Sequence, residues 1–135
     1  MPGSRTRLDG GYATSGEEGA ANDPKYECCT ARGAVVALDH AGKRVWQAYA
    51  IPEEPRVVGK NSSGTPIWRP SGASIWAAPT VDPLSQAVYA ATGDNFTHPD
   101  SKTSDAVLAF SMKTGEMPWS HQWLAGMSSA RHASL

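Results

Sequence analysis

The sequence predicts an all-β fold assembled from repeated strand-turn-strand units. Three observations carry that reading. Thirteen glycines and ten prolines punctuate 135 residues, which leaves room for short strands and turns rather than for helices. The apolar runs between them are short and rich in β-branched residues and tyrosine, as in residues 32–38 and 87–91. Third, two segments match each other, GAVVALDHAGKRVW (residues 33–46) and DAVLAFSMKTGEMPW (residues 105–119). One residue inserted in the second turn brings Trp46 and Trp119 into register. A single unit of this kind cannot bury both faces, so the repeat predicts blades of a β-propeller or coils of a β-solenoid. Trp46 and Trp119 are then core positions that dock one unit on the next.

Taken in order, residues 1–10 show no period and read as a disordered or foreign start. Residues 11–19, GYATSGEEG, look like a strand tail ending in a turn with two carboxylates, and residues 20–26 are a polar loop. A strand over 32–38 is followed by the turn Asp-His-Ala-Gly-Lys, and residues 44–50 alternate as a half-buried strand. Residues 51–73 hold Pro52, Pro55, Pro66 and Pro70 with Gly59, Gly64 and Gly72, which predicts a long excursion without regular structure. Strands resume over 74–78 and 87–91, residues 96–104 form a loop, and 106–111 is a strand turning at Lys113-Thr114-Gly115-Glu116. Residues 118–123 close the pattern. The domain reading is therefore a propeller-like unit over 11–123, with 124–135 a disordered or divergent tail.

Composition narrows the function. Twelve basic and thirteen acidic residues give a net charge of −1, with no Lys/Arg run, so nucleic acid is not an expected partner. No apolar stretch reaches the length of a membrane span, and the first residues lack the hydrophobic core of a signal peptide. The four histidines show no metal-ligand spacing. Cys28 and Cys29 are adjacent, which excludes a staple between distant strands. A vicinal disulfide, joint binding of a group and two buried thiols all stay open.

Chemistry concentrates in residues 71–96, SGASIWAAPTVDPLSQAVYAATGDNF. Trp76 offers a flat aromatic platform, and Asp94 and Asn95 place two hard oxygen donors just after Gly93, where a strand runs out. Together they suggest one pocket with a stacking surface and a cation site. Read without that pocket, Trp76 is core and Gly93-Asp94-Asn95 is a turn. The sequons at Asn61 and Asn95 are of a kind that arises often by chance.

The pattern VVALD…GK.VW resembles the tryptophan-docking repeat of quinoprotein dehydrogenases. These are eight-bladed β-propellers that bind pyrroloquinoline quinone (PQQ) and Ca²⁺ on the propeller axis. The order SGEE, CCTARGAVVALD, IPEEP, GASIW and ATGDN is most similar to the polyvinyl-alcohol-dehydrogenase-like branch. The resemblance implies a partial propeller of roughly two to three blades. It places Trp76 where the family stacks a tryptophan on the quinone, and Ser74 where a threonine bonds the cofactor. It makes Glu18 a calcium ligand, with Ser15, Gly16 and Glu17 bordering the cofactor. Asp94 or Asn95 would supply another ligand oxygen, and Arg32 follows the metal turn.

In alcohol-oxidising relatives a vicinal cysteine disulfide covers the cofactor. That makes Cys28 and Cys29 candidate cofactor neighbours, although the pair arises elsewhere in those chains. The implied reaction is hydride transfer from an alcohol, small or polymeric, to the quinone, with Ca²⁺ as Lewis acid. A periplasmic parent protein and a cytochrome c electron acceptor belong to the same expectation. One departure stands out: the expected catalytic aspartate after the second repeat is matched by Ala125-Gly126-Met127, so no catalytic residue is assigned. The expectation is a fragment of the dehydrogenase, inactive by itself. The rivals are a propeller scaffold without cofactor and a small β binding module.

Overall fold

The computed structural model describes the backbone of residues 7–11 and all of residues 23–123; Ser15, Gly16, Glu17 and Glu18 lie outside the described residues. Every regular element among the described residues is a strand: β1 (Arg7–Gly11), β2 (Ala34–Leu38), β3 (Arg44–Tyr49), β4 (Arg56–Lys60), β5 (Pro66–Arg69), β6 (Thr80–Asp82), β7 (Ala87–Ala91), β8 (Ala106–Ser111) and β9 (Trp119–Gln122). They form a three-stranded sheet β1-β2-β3, a hairpin β4-β5 and a four-stranded meander β6-β7-β8-β9, antiparallel throughout.

The two matching segments adopt equivalent hairpins. In β2–β3 Ala37 lies opposite Trp46, and in β8–β9 Ala109 lies opposite Trp119. The small residue leaves room for the indole across the ladder. One core joins the two larger sheets: Val35, Ala37 and Trp46 from the first pack with Val88, Ala90, Ala106, Leu108 and Phe110 from the second, and Ala50, Ile51, Ala73 and Ile75 fill the seam. Trp46 is the bolt. Its Nε1 donates to the Met112 carbonyl at 3.0 Å, and its ring lies on Gly115. A Cβ on Gly115 would fall 2.6 Å from the ring, and φ there is +76°, so glycine is required twice over.

Four expectations need correction. Residues 51–73 are not without regular structure: β4 and β5 pair as a hairpin with Arg56 opposite Arg69. Asn61 makes its turn, its Oδ1 accepting from the amides of Ser63 and Thr65, while Gly64 takes φ +80°. Pro66 opens β5 at an edge, where a missing N–H is tolerated. The first ten residues are not wholly without structure either, because β1 pairs along β2, a non-local ladder that leaves no local period. The strand expected over 74–78 is reduced to one isolated bridge, at Ile75. Finally, Trp119 is 48% exposed rather than buried.

The sequons are engaged structurally. Asn61 Nδ2 donates to the Pro24 carbonyl at 2.8 Å, and Asn95 is buried. No helix among the described residues is long and apolar enough to cross a membrane.

Candidate functional site

Three extended segments cross at Gly72. Arg32 bridges it in parallel on one side and Asn95 antiparallel on the other, and Ile75 bridges Thr92 further along. The ladder continues through Gly33 N to Gly72 O at 3.2 Å, Ala73 N to Asp94 O at 2.8 Å and Gly93 N to Ser74 O at 2.8 Å. Glycine is what lets the backbones approach. A Cβ on Gly72, whose φ is +114°, would lie 2.6 Å from the Asn95 Cα. Arg32, Ser74, Trp76, Asp94 and Asn95 are distant in sequence, and this crossing gathers the segments that carry them.

The side chains fall into two kinds. Trp76 is a large aromatic left 62% exposed, with its Nε1 edge over Gly93, 2.9 Å from where a Cβ would be. An exposed indole seated on a glycine is a platform in want of a flat partner. Ser74 is buried, and its hydroxyl has no hydrogen-bond partner among the described residues. An orphan buried hydroxyl costs desolvation, and a polar group on a bound molecule would satisfy it. Asn95 is buried beside Gly72.

Arg32 is already committed. Its Nη1 donates to the carbonyls of Ile51, Pro52 and Glu53 at 3.1, 3.3 and 2.9 Å, and its guanidinium lies 3.8 Å over the Tyr49 ring. It therefore fixes the loop after β3 as well as bordering the crossing.

Cys28 and Cys29 are joined as a vicinal pair across a cis peptide. The pair runs beside β5, with Trp68 N donating to Cys28 O at 2.8 Å and Cys29 N to Trp68 O at 3.3 Å. It lies on the extended segment that leads into Arg32.

Of the residues expected to hold a cation, Asp94 and Asn95 are described and Glu18 is not. Among the described residues no group of three His, Cys, Asp or Glu side chains could hold a metal ion. The carboxylate that sequence reasoning missed is Asp105. Its amide donates to Gly93 O at 2.8 Å and its φ is +47°. Burial first, then the neighbouring charges of Asp94 and Asp100, raise its carboxyl above the ordinary value of 3.8. The signal was in the repeat: Asp105 stands where the first unit has Gly33. An exposed indole, an orphan buried hydroxyl two residues before it and a buried amide at the crossing fit a flat polar molecule. Two oxygen donors at Asp94 and Asn95 do not by themselves complete a cation site.

Comparison with known proteins agrees with the all-strand architecture. Residues 18–125 match the family model for the glucose/ethanol/alcohol dehydrogenase β-propeller domain of the PQQ type. Over 126 residues the chain is 41% identical to a polyvinylalcohol dehydrogenase of Pseudomonas sp., covering 90% of this chain and 20% of that protein. Over 129 residues it is 42% identical to the polyvinylalcohol dehydrogenase of Sphingopyxis sp. (strain 113P3), covering 93% and 20%. The chain thus spans a fifth of the length of these relatives. Among solved structures it resembles the quinohemoprotein alcohol dehydrogenase of Comamonas testosteroni, with TM-score 0.55, 19% identity, and 93% of this chain on 20% of that one. The corresponding enzyme of Pseudomonas putida HK5 gives TM-score 0.53, 18% identity, and coverage of 90% and 19%. On the strength of a family match over most of its length, this chain belongs to the PQQ-type alcohol dehydrogenase β-propeller family, as a partial propeller.

Proposed function

We propose that the chain forms one wall of a PQQ site in a protein that oxidises an alcohol, with polyvinyl alcohol the favoured substrate because both relatives bear that name. The observation that carries this is the pairing of exposed Trp76 with the orphan hydroxyl of buried Ser74. When bound, the quinone supplies the hydride acceptor. Trp76 would stack on its face, Ser74 would donate to a polar atom on its edge, and Arg32 would border it while holding the loop at 51–53. Ser15, Gly16, Glu17, Cys28 and Cys29 would complete the surround. Glu18 with Asp94 or Asn95 would hold Ca²⁺, which would act as a Lewis acid on the cofactor. A periplasmic location and a cytochrome c acceptor belong to the same proposal. No residue of this chain is assigned the proton transfer, so the chain alone is expected to give no turnover.

Titration of the purified chain with PQQ, with and without Ca²⁺, tests the reading through tryptophan fluorescence. Saturable quenching that Trp76→Ala lowers by at least about tenfold in affinity, and Trp119→Ala leaves alone, is the expected result. No saturable quenching in a folded chain would favour the scaffold reading. Dye reduction by the chain with PQQ, Ca²⁺ and an alcohol would overturn the expected lack of turnover.

A further inference from the structure

The β4–β5 hairpin carries an arginine pair that the cofactor reading does not use. Between Arg56 and Arg69 this hairpin carries no acidic residue, in a chain whose net charge is −1. Arg56 and Arg69 face each other across the ladder. Like charges directly opposite on one face repel, so the pair is unfavourable unless an anion sits between them. Neither forms an ion pair or side-chain hydrogen bond among the described residues, and Arg69 Nε is buried without an acceptor.

Arg56 and Arg69 both line a cavity of about 340 Å³ whose apolar lining is Val58, Pro70 and Pro99. Glu53 and Glu54 also line it, and both are exposed and make no ion pair with either arginine among the described residues. The glutamates therefore do not supply the missing acceptor.

We propose that this cavity is a carboxylate-binding site for a small organic acid. A carboxylate accepts side-on from Nε–H and one Nη–H of an arginine, two parallel charge-assisted bonds that would use the buried Nε of Arg69. Arg56 would supply the second cation, and the proline and valine wall would receive a short apolar body. The exposed glutamates at the rim favour a monocarboxylate over a multiply charged anion by repulsion.

The test is a titration of the ¹⁵N-labelled chain with butyrate, observing the arginine Nε–H signals, with chloride and phosphate as controls. The expected result is a saturable shift of the Arg69 Nε–H with butyrate. Followed at the Arg56 Nε–H, the butyrate affinity should fall at least about tenfold in Arg69→Gln and several-fold in Arg69→Lys, which keeps the charge but loses the fork. Backbone amide spectra of the variants show whether the hairpin stays folded, and Arg56→Gln provides a second variant on the other strand. An equal shift with chloride, an unchanged affinity in folded Arg69→Gln, or no saturable shift would each overturn the proposal. None of these outcomes depends on PQQ binding.

Discussion

The hairpins β2–β3 and β8–β9 share a sequence pattern and a register, yet their tryptophans have opposite fates. Trp46 is 9% exposed, bonded to Met112 O and seated on Gly115 of the second hairpin's turn. Trp119 is 48% exposed, with Tyr89 as its aromatic neighbour at 5.9 Å. The same residue in the same ladder position is core in one unit and surface in the other. What differs is a following turn that presents a carbonyl and a bare glycine. Burial in a repeat of this kind is a property of the interface between units, not of the unit.

The largest break in that comparison is Trp46→Ala. It should cost about 3–5 kcal/mol by loss of a large buried ring, read as the shift in urea midpoint. Trp119→Ala in the same assay should stay within about 1 kcal/mol, because half of its ring is already in water. If the two losses are equal, the docking account is wrong. Gly115→Ala comes next, at about 1–3 kcal/mol, since the added methyl meets the Trp46 ring in a backbone conformation that alanine resists. Its effect should shrink in the Trp46→Ala background, a coupling that a double-mutant cycle measures.

The smallest expected effect sharpens the comparison at the entry to each hairpin, where Gly33 corresponds to Asp105. A Cβ on Gly33 would collide with the Ala73 carbonyl, whereas Asp105 stands at φ +47° with its carboxyl near Asp94 and Asp100. Because folding raises that carboxyl's pKa, its protonated form favours the folded state. The associated stability is complete below the ordinary value of 3.8 and is lost as pH rises through the raised value. Asp105→Asn should therefore raise the melting temperature at neutral pH by a few degrees, roughly, and the gain should vanish under acid conditions. A gain that persists unchanged at low pH would mean that backbone geometry, not charge, is responsible.

Much of this was readable beforehand, for identifiable reasons. The strands over 34–38, 44–49, 87–91 and 106–111 follow from short β-branched runs between glycine and proline, a local signal. The hairpin at 56–69 was hidden because four prolines argue for an open loop, while the bonds that anchor its local Asn61 turn to Pro24 are long-range. Trp76 and Ser74 stood out as chemistry, but their pairing of exposure with an orphan hydroxyl is set by neighbours. Asp105 escaped notice because a strand-leading aspartate looks ordinary until Asp94 and Asp100 are placed beside it.

By itself, then, the sequence determined the strand class, the repeat pattern that ends each unit in Trp, and the small set of residues able to stack, donate or ligate. These depend on local propensity and residue chemistry, which the chain carries with it. Only the tertiary structure decided that residues 28–33, 71–76 and 92–97 cross at Gly72, that Trp46 is docked while Trp119 is not, and that Arg32 grips the loop at 51–53. Those outcomes rest on close approaches between segments far apart in the chain, where the absence of one Cβ or the placement of one carbonyl settles which side chain is buried.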